Sequence, residues 1–147
     1  MKKVSLCLIA LLICIMIPAS YAAPCIEQES ETIYTEFGVF EIETTTVIHN
    51  VLARSNSKSA DRTHTVRLNG KIVAEVTLSA TFGYDGKTSW VTSASGSHST
   101  YDGWSYEGEK ITKSGGTARL TAKLTHSRYE DAPINISITC TPTGQIS

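Results

Sequence analysis

The stretch that decides the fold is Ile72-Val73-Ala74-Glu75-Val76-Thr77-Leu78-Ser79-Ala80-Thr81-Phe82-Gly83-Tyr84. Its even positions, Ile72, Ala74, Val76, Leu78, Ala80, Phe82 and Tyr84, are apolar or aromatic, while the odd ones include Glu75, Thr77, Ser79 and Thr81. An extended chain turns successive side chains to opposite faces, so a period of two predicts a strand with one face on a core and the other in water. The pattern returns twice downstream. Ala118, Leu120, Ala122 and Leu124 alternate with Thr117, Arg119, Thr121 and Lys123, and Ile134, Ile136, Ile138 and Cys140 alternate with Asn135, Ser137 and Thr139. Cys140 therefore belongs to a buried face.

Turn chemistry separates these runs. Asn69-Gly70 lies between residues 63–68 and the deciding strand, and Asp85-Gly86 lies between that strand and residues 87–94; both dipeptides supply the positive φ of a two-residue hairpin. Ser114-Gly115-Gly116 and Asp131-Ala132-Pro133 introduce the last two strands. Upstream, residues 40–49 read as a strand with Phe40, Ile42, Thr44, Thr46 and Ile48 on one side. Residues 26–37 fit a short helix or a strand, and the polar, aperiodic residues 55–61 read as a flexible surface connection. The sum is an all-β chain, an antiparallel two-sheet β-sandwich of immunoglobulin-like architecture with about seven strands.

The first 22 residues have a different character. Lys2 and Lys3 precede an apolar run of fourteen residues, 4–17, which is followed by Pro18 and Ala19-Ser20-Tyr21-Ala22. A basic start, a short apolar core and small residues before a cut make a secretory signal peptide, 1–22. The run is shorter than the roughly 20 residues that span a bilayer. No other apolar run approaches that length, so the sequence predicts no membrane span after processing. The expected product is one secreted domain, residues 23–147, extracellular and either released or held at the cell wall.

Processing removes Cys7 and Cys14 and leaves Cys25 and Cys140 near the two ends. In an oxidising compartment two remaining cysteines most simply pair, and a loop of about 100 residues closed by such a bond is worth up to about 4.7 kcal/mol in the chain-entropy account. Loss of Lys2 and Lys3 leaves eleven basic against fourteen acidic residues, a net charge of −3. That balance speaks against a nucleic-acid partner. Six of the acids lie between residues 27 and 43, as a solvated face or an acidic docking surface.

No constellation for catalysis converges. No serine sits in a Gly-x-Ser-x-Gly turn, and the adjacency of Ser97 and His98 is not the geometry of a nucleophile and its base. His49, His64, His98 and His126 are scattered without metal-ligand spacing, so no metal and no cofactor are expected. The sequence predicts no enzyme. The most unusual composition is Trp90 followed by Tyr101-Asp102-Gly103-Trp104-Ser105-Tyr106. Aromatic rings left partly exposed serve sugar rings and protein partners alike; the alternative is that Trp90 and Trp104 fill the core while Tyr101 and Tyr106 cap strand ends. Trp90, Tyr101, Asp102, Trp104 and Tyr106 are thus the candidate ligand-binding residues.

Val66-Arg67-Leu68-Asn69-Gly70-Lys71, Ala80-Thr81-Phe82-Gly83-Tyr84-Asp85-Gly86, Gly103-Trp104-Ser105-Tyr106, Ser114-Gly115-Gly116-Thr117-Ala118 and the closing Thr139-Cys140-Thr141-Pro142-Thr143-Gly144 resemble an uncharacterised group of small secreted proteins of Gram-positive bacteria. The resemblance implies a bacterial extracellular origin and a β-sandwich, and it carries no catalytic residues. The expected function is a non-enzymatic extracellular binding or interaction domain whose partner is a protein or a cell-wall polysaccharide. Narrower alternatives are a carbohydrate-binding module using Trp104 and Tyr101, or a small secreted toxin or antimicrobial factor.

Overall fold

A computed structural model describes residues 24–49 and 56–147; the expected signal peptide lies outside them. Among these residues eight strands follow one another: β1 (Cys25–Thr35), β2 (Gly38–His49), β3 (Ser57–Leu68), β4 (Lys71–Tyr84), β5 (Ser89–Thr100), β6 (Ser105–Ser114), β7 (Thr117–His126) and β8 (Tyr129–Thr139). They form a five-stranded sheet, β1-β2-β3-β4-β5, and a three-stranded sheet, β6-β7-β8, both antiparallel throughout. The all-β, two-sheet expectation holds. The strand order is a plain meander, whereas immunoglobulin-like domains depend on Greek-key connections.

The open reading of residues 26–37 resolves as β1, and β6, which no alternation marked in the sequence, joins it to bring the strands among the described residues to eight. Asn69 and Gly70 both take positive φ, 51° and 80°, as a two-residue hairpin requires. The Asp85-Gly86 connection is longer than expected: β4 stops at Tyr84 and β5 starts at Ser89. Asp85 Oδ1 accepts the amides of Lys87 (2.9 Å) and Thr88 (2.6 Å), so its side chain builds a four-residue loop instead. Residues 57–61 are strand, not flexible connection. Ala60 is fully buried, Ser59 pairs with the Thr81 hydroxyl at 3.0 Å, and Lys58 Nζ donates to the Gly144 carbonyl at 2.6 Å. Polar residues hid that strand because sheet neighbours satisfy them. Strand β8 likewise begins before Asp131-Ala132-Pro133, at Tyr129.

The core forms where the predicted alternations meet. Val76, Leu78, Ala80 and Phe82 of β4 face Ala118, Leu120 and Leu124 of β7 and Ile134, Ile136 and Ile138 of β8, all buried. Strand β8 lies against β3 and β4, and β7 against β4 and β5. Register shifts change the faces locally. Between Val66 and Arg67 the partner jumps from Ala74 to Ile72, so Val73 is an extra residue; it turns into the core at 3% exposure while Ile72 stays half-exposed.

The disulfide expected between Cys25 and Cys140 is not formed: both thiols are free. Cys25 is exposed at the start of the outermost strand, opposite Ile48, whereas Cys140 is buried at the end of β8 beneath the C-terminal tail, which it pairs through Ile146. Chain ends close in sequence logic are thus held on different sheets. Burial raises the Cys140 thiol above its ordinary value, against the lowering effect of Lys58.

Candidate functional site

One face of the five-stranded sheet packs on the second sheet, and the opposite face is covered by none of the described strands. Cross-strand register sorts the side chains on that outer face into rows. Ser59, Thr81 and Ser93 lie side by side, then Asp61, Ser79 and Ser95, then Thr63, Thr77 and Ser97, then Thr65, Glu75 and Ser99. Antiparallel geometry spaces such rows about 6.8 Å apart and their members about 4.8 Å apart. Thr63 and Thr77 share a 2.8 Å hydroxyl contact. A shallow depression of about 290 Å3 lies over this region, lined by Thr63, Glu75, Thr77, Ser97, His98 and Ser99. Each hydroxyl donates once and accepts twice, so the rows offer a ligand hydrogen bonds of both senses.

Aromatic residues stand at both ends of β5. Alternation alone puts Trp90 on the same face as Ala94, toward the core, but a second register shift intervenes. Ser93 pairs with Thr81 and Val91 with Phe82, leaving Thr92 unpaired. The extra residue reverses the parity, and Trp90 emerges on the outer face opposite Gly83, 46% exposed. Its indole lies on the bare backbone of Gly83, where any Cβ would overlap it. At the other end Tyr101 is 43% exposed and its hydroxyl donates to Glu75 Oε2 at 2.9 Å. That hydrogen bond and the Glu75 charge hold the phenol above its ordinary pKa.

The remaining candidates lie elsewhere. Trp104 is buried at 5% exposure in an aromatic cluster, edge-on to Phe40 at 6.0 Å and parallel to Tyr129 at 5.8 Å, with His126 at 5.2 Å. It closes one end of the molecule by joining β2, the β5–β6 turn and the β7–β8 turn. Asp102 takes the positive φ of that β5–β6 turn, 56°, and pairs with Lys71 Nζ at 3.0 Å. Half-buried Tyr106 stacks on His98 at 4.0 Å and donates to Glu109 Oε2 at 2.8 Å. Burial first, then that carboxylate, pushes its phenol far above the ordinary range.

The structure therefore brings Trp90 and Tyr101 to one face and withdraws Trp104 and Tyr106 from it. Sequence reasoning missed Gly83, Glu75 and the hydroxyl rows. The available signal was the period-two series Ser93, Ser95, Ser97, Ser99, which has no apolar partner series and so does not register as a strand pattern. Comparison with protein-family models, curated proteins and solved structures gives no match.

Proposed function

We propose that this chain is a non-enzymatic extracellular binding domain, an open β-sandwich that holds a cell-wall polysaccharide against the outer face of its five-stranded sheet. One observation carries the reading: Trp90 and Tyr101 stand half-exposed on the same face, with rows of serine and threonine hydroxyls between them. A polysaccharide presents axial C–H patches and hydroxyls in alternation, which suit indole and phenol faces and hydrogen-bonding rows respectively. Ten residues lie between the two rings, a distance on the order of 35 Å along the strand, which fits an extended polymer rather than a single sugar. Export rests on the basic and apolar start of the sequence, and bacterial origin on the resemblance already described. Tyr101 replaces Trp104 as the leading aromatic, with Trp90 as its companion.

The test is co-sedimentation with insoluble cell-wall glycans. The mature protein should be retained, and Trp90→Ala or Tyr101→Ala should each weaken retention about tenfold while far-UV spectra stay unchanged, the loss expected for about 1.4 kcal/mol of ring contact. Retention by both variants equal to that of the unaltered protein would sink the proposal.

A further inference from the structure

A second surface stands apart from the hydroxyl face. Strand β1 is the outermost of its sheet, and all eleven of its residues are exposed. Among the described residues it neighbours β2 alone. Its free side offers unpaired backbone N–H and C=O groups over roughly 35 Å, a template for another strand. Its pairing with β2 runs from Cys25 to Thr35 without a register shift, and it contains no proline. Two other edges, β8 and β5, are blunted. Strand β8 carries Pro133, and its end is occupied by the chain's own tail through Thr139 and Ser147. Strand β5 gives its Val91 amide to the Gly115 carbonyl.

The charge on β1 is of one sign and on one side. Glu27, Glu29 and Glu31 stand opposite Thr46, Thr44 and Ile42, so all three point to the same face. Among the described residues no ion pair reaches any of them. The nearest basic residue on that face of the sheet, Arg62, donates to Thr46 Oγ1 (2.8 Å) and the Ser137 carbonyl (2.5 Å) instead. The opposite face of β1 shows Ile26 and Tyr34, 59% and 73% exposed. A second copy is a poor occupant. Twofold pairing about Ser30 would set Glu29 opposite Glu31 twice, and like charges directly opposite are destabilising.

We propose that the free edge of β1 takes an extended segment of another protein, bearing lysine or arginine at alternate positions, by strand addition. Backbone hydrogen bonds supply the affinity, and the glutamate row selects the basic register. Inward charges can also serve only to keep an edge from aggregating, and the experiment separates the two roles.

The probe is a synthetic decapeptide of alternating lysine and threonine, measured against the mature protein by anisotropy and by amide exchange. The peptide should bind and slow exchange along β1. The same peptide with two central threonines replaced by proline keeps its charge but loses strand pairing, and should bind at least tenfold more weakly. Glu29→Lys should weaken the lysine peptide and create binding of a glutamate–threonine counterpart. Equal binding of the proline peptide, unchanged exchange along β1, or no binding at all would overturn the proposal, leaving the glutamates as edge protection. Trp90→Ala should leave the peptide's affinity unchanged, so its failure and that of the polysaccharide reading are distinguishable.

Discussion

At the scale of single residues, His64 shows how a face assignment becomes a pH dependence. It sits on the inner side of β3, between Thr44 and Val76, where burial chiefly and the Arg62 charge secondarily lower its pKa to about 4. The unfolded chain takes up a proton near the ordinary value of about 6.5 and the folded one only near 4, so stability falls as pH drops through that window. Urea titrations at pH 7 and pH 4 should show His64→Leu losing about 2–3 kcal/mol less than the unaltered protein over that interval. An equal loss in both would show that His64 is not the group responsible. Gly83 makes the complementary point. Gly83→Ala should lift Trp90 off the sheet, visible as a red shift in its emission, and weaken glycan retention, because the methyl occupies the space of the indole. Trp104→Ala should instead cost about 3–5 kcal/mol of stability, read as a lowered urea midpoint, since it empties a buried aromatic cluster.

At the scale of elements, the strands differ in how much holds them. Strand β4 lies between β3 and β5 and packs on β7 and β8, whereas among the described residues β1 lies beside β2 alone. Amide exchange should therefore be slowest at the centre of β4 and fastest along the β1 edge, with the two separated by several orders of magnitude. The bulge in β5 is the element that sets the candidate site. Deleting Thr92 restores strict alternation and drives Trp90 toward the core face already filled by Phe82 and Ala80. Such a variant should melt at a lower temperature and lose glycan retention together. Most strand alternations were legible in residues 72–84, 117–124 and 134–140 because apolar and polar residues separate cleanly there. Strand β1 was ambiguous for the converse reason: both its faces are wet, so selection for burial never wrote a period into it.

At the scale of the whole molecule, the free thiols test the arrangement of the two sheets. In the native protein a thiol reagent should label Cys25 rapidly and Cys140 only after unfolding, and intact mass should not change on reduction. A mass increase of two hydrogens on reduction would show the bond that the sequence suggests. The meander also explains why sheet membership could not be read from pattern. Each strand needs only an apolar face to be buried, and nothing in an alternation says which opposing strand buries it. What the sequence determined by itself was local: strands with one dry face, and the Asn69-Gly70 turn, all consequences of side-chain periodicity and backbone φ preference. Tertiary structure alone decided the division into five and three strands, the separation of Cys25 from Cys140, and the burial of Trp104 with the emergence of Trp90. The emergence of Trp90 depends on register: one unpaired residue, Thr92, reverses the faces of the β5 side chains on its N-terminal side, whereas the others depend on which strands meet across the core.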